Sequence, residues 1–249
     1  VSIDLFYEKH GSGMPMLLVH GFPLDHTIWH PVLPFLQSKY EVILPDLRGY
    51  GNSPTCPLPF TITAMAEDLL LLLDKLQLPQ ILLVGQSMGG YIALEFARLF
   101  PQRLLGLALV ASHPYPDSPS KKAQRMKTIE SVQQIGVPKT FVDFPQKLSH
   151  IPIIQDATRL IINDTDPVTV IGSLQAMATR RDNSAVLHQT DFPTAVIVGR
   201  DDQFISDEIR NKLETEFTDT KFTAISGASH MLMMEFPCEL SESLVELPY

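Results

Sequence analysis

The chain has 249 residues, of which 45% are hydrophobic and 19% charged, and its net charge is −9. That length accommodates one domain with a large core, or a domain carrying one insertion, and the composition is that of a globular chain rather than a disordered one. The acidic balance argues against nucleic acid as a partner, since the densest basic group is only Lys121, Lys122, Arg125 and Lys127.

Along the chain, Ile3–Lys9 alternates apolar and polar residues and is predicted as an edge strand, joined to the next strand by a Gly11-Ser12-Gly13 turn. Its acids make it unlike a signal peptide. Six further runs, Met16–His20, Val42–Pro45, Ile81–Gly85, Leu105–Ala111, Ala195–Gly199 and Lys221–Ile225, read as buried strands. Several are apolar at nearly every position, as a parallel sheet covered by helices on both faces requires. Helices are expected over Met65–Leu76, Gly89–Leu99, Asp207–Phe217 and Glu235–Glu246. The longest apolar stretch, Leu69 to Leu73, is closed by Asp68 and Asp74 and is too short to cross a bilayer. Two cysteines, Cys56 and Cys238, lie in no Cys-x-x-Cys pair, so separate thiols and a cytoplasmic setting are expected.

Strand–helix alternation predicts an α/β architecture, a mostly parallel doubly wound sheet. It fails between Ala111 and Thr194. There Met126, Ile129, Val132 and Ile135 recur at helical spacing before Gly136, and Asp166-Pro167 opens a second helix through Met177. Residues 112–190 are therefore expected to form a small helical cap, inserted after a central strand and leaning over the C-terminal edge of a core made of 1–111 and 191–249. Ligands of open α/β sheets bind at that edge.

Gly85-Gln86-Ser87-Met88-Gly89 follows an apolar strand and opens a helix, the setting of a nucleophile elbow. The turn is so tight that side chains flanking the serine would collide, hence glycine on both sides. A serine nucleophile needs a base, and the base needs an orienting carboxylate. His230 follows the last apolar strand and lies on the Ser87 side of the sheet. Arg200-Asp201-Asp202 follows the strand before it. Of the two aspartates, Asp202 lies further from the strand end, where the chain turns toward the His230 loop, and is favoured. The order Ser, Asp, His differs from the chymotrypsin and subtilisin orders. Two backbone N–H groups should face the developing oxyanion: that of Met88, after the nucleophile, and that of Phe22, in the loop after the first central strand. His20 is read as ordering this loop rather than transferring protons.

These stretches together resemble the α/β-hydrolase superfamily. The resemblance rests on His20-Gly21-Phe22, on Asp46–Ser53, on Gly85–Gly90, and on Gly227-Ala228-Ser229-His230 followed by Glu235-Phe236-Pro237. It implies an α/β-hydrolase fold and places the triad acid three residues after the glycine ending its strand, at Asp202. Ser206 stands where the family usually has proline. Within the superfamily, His-Gly-Phe-Pro-Leu-Asp with Trp29, and Met177–Asp182 before the next strand, are similar to small carboxylesterases and enol-lactonases. The activity so implied is hydrolysis of a small ester or lactone, without a cofactor. Perhydrolases, thioesterases, C–C bond hydrolases, small peptidases and slow-turnover ligand receptors share the constellation. Gly89 argues for an enzyme, since resembling receptors often lack that glycine, and Ser87 in the elbow argues against the dehalogenases and epoxide hydrolases that use aspartate.

Leu24, Trp29, His113, Met177, Phe204 and Met231 are expected to line the substrate pocket. His26 and His30, four apart, have a spacing seen in zinc sites, but no third ligand accompanies them in sequence and no metal is expected.

Overall fold

The computed structural model describes residues 3–55 and 60–245, so Cys56 and the Glu246 end of the last expected helix lie outside the described residues. Seven strands form one sheet: β1 (Tyr7–Gly11), β2 (Met14–Val19), β3 (Tyr40–Pro45), β4 (Ile81–Gln86), β5 (Leu104–Val110), β6 (Thr194–Gly199) and β7 (Lys221–Ile225), in the order β1-β3-β2-β4-β5-β6-β7. Only β1 is antiparallel; it pairs with β3 from Tyr7↔Pro45 to Gly11↔Glu41. The residues of β4 and β6 are buried throughout, which explains their unbroken apolar character.

The expected edge strand lies later than Ile3–Lys9, and the glycine turn after it is not a hairpin. β1 and β2 are separated by β3, so Gly11-Ser12-Gly13 passes over the start of that strand. A Cβ on Gly11 would lie 2.5 Å from the Tyr40 carbonyl oxygen, and one on Gly13 2.3 Å from that of Lys39, so the crossing requires glycine.

The helices are α1 (Leu33–Leu36), α2 (Ile62–Lys75), α3 (Met88–Leu99), α4 (Pro119–Thr140), α5 (Phe144–Leu148), α6 (Pro152–Asp164), α7 (Pro167–Ala178), α8 (Ser184–Gln189), α9 (Asp207–Glu216), α10 (Leu232–Glu235) and α11 (Pro237–Val245). A 3-10 helix, His26–Val32, precedes α1. The single helix expected over Glu235–Glu246 is two, because Phe236 leaves the helical conformation (φ −134°, ψ 57°) and Pro237 has no N–H to continue the first. α9 is capped by the Ser206 hydroxyl, which accepts from the Ile209 N–H. A proline at position 206 would forgo that cap.

Residues 112–190, between β5 and β6, hold α4 to α8 and no strand among the described residues. Ser118 caps α4, which kinks at Gly136 (φ 80°), and Asp166 caps α7 by accepting from the Val168 N–H. The helical segment is tied to the core by polar bonds as well as by apolar packing. Tyr50 Oη donates to Ser173 Oγ on α7 at 2.7 Å. Asn183 Nδ2 donates to the buried Glu95 of α3, which also accepts from Arg98 and Thr63.

Burial alone would raise the Glu95 carboxyl, but those donors hold it down to about 2. The stabilisation from its charge is therefore present in full above the ordinary value of 4.5 and is lost as the pH falls toward about 2. Glu95→Gln should destabilise the chain at pH 7 by about 1–3 kcal/mol, a Tm loss of several degrees. The gap between variant and wild type should close as thermal unfolding is followed below pH 4.5. Equal Tm values at pH 7 would show that Glu95 does not bind the segment to the core.

Candidate active site

At the end of β4 the chain turns at once into α3, and Ser87 occupies the turn at φ 51° and ψ −113°. A non-glycine residue held there costs about 1–3 kcal/mol, so the surroundings must over-determine it. The Ser87 N–H donates to the Val110 carbonyl at 2.9 Å, and Ser112 Oγ donates to the Ser87 carbonyl at 2.8 Å. A Cβ on Gly85 would lie 2.3 Å from the Gly89 carbonyl oxygen, and one on Gly89 2.4 Å from that of Val19. Glycine on both sides is what lets helix and strand approach closely enough to hold the serine.

The strand order changes direction of travel here. β2 leads to β3 on one side, β4 to β5 on the other, and Val19 pairs with Gly85. The loop after β2 therefore lies beside the elbow and carries Phe22 into the same cavity wall as Ser87. Met88 opens α3, so its N–H belongs to the first turn, which has no intrahelical partner. His20 is fully buried; its Nδ1 is 3.0 Å from the Gly21 carbonyl and its Nε2 accepts the Leu47 N–H at 3.0 Å. Both ring nitrogens serve the backbone, and burial pushes the imidazole pKa down, so His20 is a neutral loop support.

Asp202 and His230 meet at 2.8 Å, Oδ2 to Nδ1, with the aspartate side chain fully buried. Asp202 Oδ1 accepts the Phe204 N–H at 2.7 Å, which fixes the carboxylate. The neighbouring Asp201 is exposed and donates its own N–H to the Ala228 carbonyl at 2.9 Å. A carboxylate at Nδ1 places the imidazole proton there and leaves Nε2 as the acceptor. The His230 N–H donates to the Leu148 carbonyl at the end of α5 at 3.1 Å, so the helical segment helps position this loop.

Ser87 and His230 line one cavity of about 620 Å³, lying between the sheet edge and the helical segment. Of the six expected pocket residues, His113, Met177 and Phe204 line it, the last with its ring centroid 4.6 Å from that of His230. Leu24, Trp29 and Met231 are corrected: they are 1%, 0% and 0% exposed and belong to the core. The 3-10 helix that carries Trp29 turns its apolar face toward α10 and α11, and Met231 turns inward as α10 begins. Met233 is buried in the same way.

Sequence reasoning missed the polar wall opposite. Arg180 Nη1 donates to Asp117 Oδ1 at 2.6 Å while its guanidinium lies 4.0 Å over the Tyr91 ring. Arg125 Nε donates to the other Asp117 oxygen. Burial, aided by the Arg180 charge, pushes His113 down to about 4, so it is neutral at pH 7. Tyr91, four residues beyond Ser87 on α3, was the one member of this wall whose spacing signals its place. The Arg180–Asp117 pair joins residues 63 apart in sequence.

His26 and His30 do not stand alone. Glu8 and His10 of β1 lie beside them, His10 Nε2 at 2.8 Å and His30 Nε2 at 3.0 Å from Glu8 Oε2.

The chain matches the family described as alpha/beta hydrolase fold over residues 14–237. It is 29% identical over 242 residues to a pimeloyl-[acyl-carrier protein] methyl ester esterase of Legionella pneumophila (strain Paris), covering 92% of each chain. A thermophilic esterase from Thermogutta terrifontis, solved with malate bound, superposes with a TM-score of 0.92 at 35% identity, over 98% of this chain and 92% of that one. The enol-lactonase from Burkholderia xenovorans shares the fold, with a TM-score of 0.87 at 20% identity over 98% and 96% of the two chains. No helix among the described residues is long and apolar enough to cross a membrane.

The unequal surroundings of the two aspartates give a test. Asp202→Asn should lower kcat for an ester by about 10⁴, through loss of the Nδ1 partner, while Asp201→Asn stays within about threefold of wild type. The reverse ranking would assign the orienting carboxylate to Asp201.

Proposed function

The chain belongs to the α/β-hydrolase fold family and is a hydrolase, and on that premise we propose that it cleaves a small carboxylic ester or lactone through Ser87, His230 and Asp202. Ser87 Oγ attacks the carbonyl carbon as His230 Nε2 takes its proton. The oxyanion that forms accepts hydrogen bonds from the Phe22 and Met88 N–H groups. His230 returns the proton to the leaving alkoxide oxygen, leaving an acyl-enzyme. Water then attacks the acyl carbon with His230 again as base, and collapse of the second tetrahedral species releases the acid and restores Ser87. Asp202 stays ionised throughout and stabilises the imidazolium.

The observation that best supports this reading is the buried Asp202–His230 hydrogen bond on the wall of the cavity that Ser87 enters. Residues 112–190 act as the cap in this account. They supply Met177 and the Arg180–Asp117 pair to the cavity, and so select the acyl or alcohol portion. The names of the Legionella and Thermogutta relatives accord with an ester substrate. A cytoplasmic setting suits the cysteine usage, and Cys238 is an exposed free thiol.

A panel of short-chain nitrophenyl esters, lactones, thioesters, aminoacyl amides and peracid formation separates this reading from its neighbours. Esters or lactones should be turned over at the highest kcat/KM, and Ser87→Ala should abolish that turnover. Preference for thioesters or amides, or full activity in Ser87→Ala, would replace the proposal.

A further inference from the structure

On the outer side of the sheet, away from the Ser87 cavity, three imidazoles converge on one carboxylate. Glu8 and His10 are two apart on the edge strand β1, so their side chains leave the same face. The 3-10 helix His26–Val32 lies across that face and adds His26 and His30. Glu8 Oε2 is 2.8 Å from His10 Nε2 and 3.0 Å from His30 Nε2, while Glu8 Oε1 is 3.2 Å from His26 Nε2. One potential ligand atom each from Glu8, His10 and His30 lies within 4.8 Å of the other two.

We propose that Glu8, His10 and His30 form a binding site for one divalent cation of the Zn²⁺ type. Two imidazole nitrogens and a carboxylate oxygen are the donor set that borderline ions take, and calcium and magnesium prefer oxygen alone. Zinc bound at about 2.0–2.2 Å holds its ligand atoms roughly 3.3 Å apart, so Glu8 Oε2 must recede by a few tenths of an ångström from each imidazole, and the His10 and His30 nitrogens, which lie within 4.8 Å of each other, must settle at about the same spacing. The ion takes the place of the two imidazole protons now shared with Oε2, and both rings then carry their proton on Nδ1.

The surroundings fit a partly open site. The side chains of Glu8, His10 and His30 are 30%, 32% and 43% exposed, which gives solvent access for a water as the fourth ligand. Behind them, His26 is nearly buried, with its Nδ1 2.7 Å from Asp46 Oδ1, and the same oxygen accepts the His26 N–H at 2.9 Å. His26 thus holds Glu8 Oε1 from a fixed position and leaves Oε2 for the ion, the outer-shell arrangement typical of metal carboxylates.

The ion would cross-link the edge strand to the segment that runs on from the Phe22 loop, so its role is structural. This inference does not depend on the reaction assigned to Ser87. The test uses tag-free protein stripped with a chelator, titrated with Zn²⁺ by calorimetry and by competition with a chromogenic chelator. Wild type should bind one equivalent, and Tm should rise by roughly 5–10 °C at a hundredfold excess over Kd. Glu8→Gln, His10→Gln and His30→Gln should each weaken binding by at least about tenfold. His188→Gln, at an exposed histidine elsewhere, should leave it unchanged. A cooperative thermal unfolding transition at a Tm close to that of chelated wild type shows that each variant is folded, and the three separate ligand variants guard against misfolding of any one. The proposal is overturned if wild type takes up no Zn²⁺ below about 100 μM, or if it binds no more tightly than the folded ligand variants.

Discussion

The Cβ that glycine lacks decides the geometry at the end of β4. With any side chain at position 85 or 89, the start of α3 could not lie against Val19 and the strand end, and Ser87 could not be held at positive φ. The candidate site is arranged around that contact. The loop after β2 is a neighbour of the elbow because β2 pairs with β4, and Val110 and Ser112 at the end of β5 clamp the serine's backbone from the other side. The strain at Ser87 is thus carried by three adjacent strands at the centre of the sheet, β2, β4 and β5.

His230 is held from two directions. Asp202 fixes the His230 ring from the core, and α5 of the inserted segment holds its backbone through the Leu148 carbonyl. Around the same loop, Glu235 accepts the Ser229 N–H at 2.6 Å and also the Ser149 hydroxyl, and Ser229 Oγ lies 2.7 Å from His150 Nδ1. The segment that lines the cavity with Ser87 is therefore joined by hydrogen bonds to the loop that carries His230.

Much of this was legible in sequence for physical reasons that particular residues make plain. Buried parallel strands must be apolar at nearly every position, so β4 and β6 were visible as runs, and Gly85 and Gly89 marked the elbow between a strand and a helix. Asp202 and His230 could be placed because each follows a strand that ends on the same edge. The pocket wall was not legible. Trp29 and Met231 are close in sequence to the oxyanion loop and to His230, yet neighbouring residues at a helix start point to opposite sides, and both fell into the core. Within the inserted segment, α6 leaves Ile153 and Leu160 exposed, at 77% and 73%, so apolar character there does not mark the core. Arg180 reaches Asp117, and His30 reaches Glu8, only through tertiary structure.

The claim on which the account rests is that Ser87 Oγ becomes covalently bonded during turnover. Reaction with an aryl phosphonate, followed by intact-mass and peptide mapping, tests it most directly. One adduct per chain should appear on the Gly85–Gly89 segment at Ser87, and esterase activity should fall in proportion to labelling. Loss of activity with the adduct on another residue, or undiminished hydrolysis by protein fully labelled at Ser87, would contradict it.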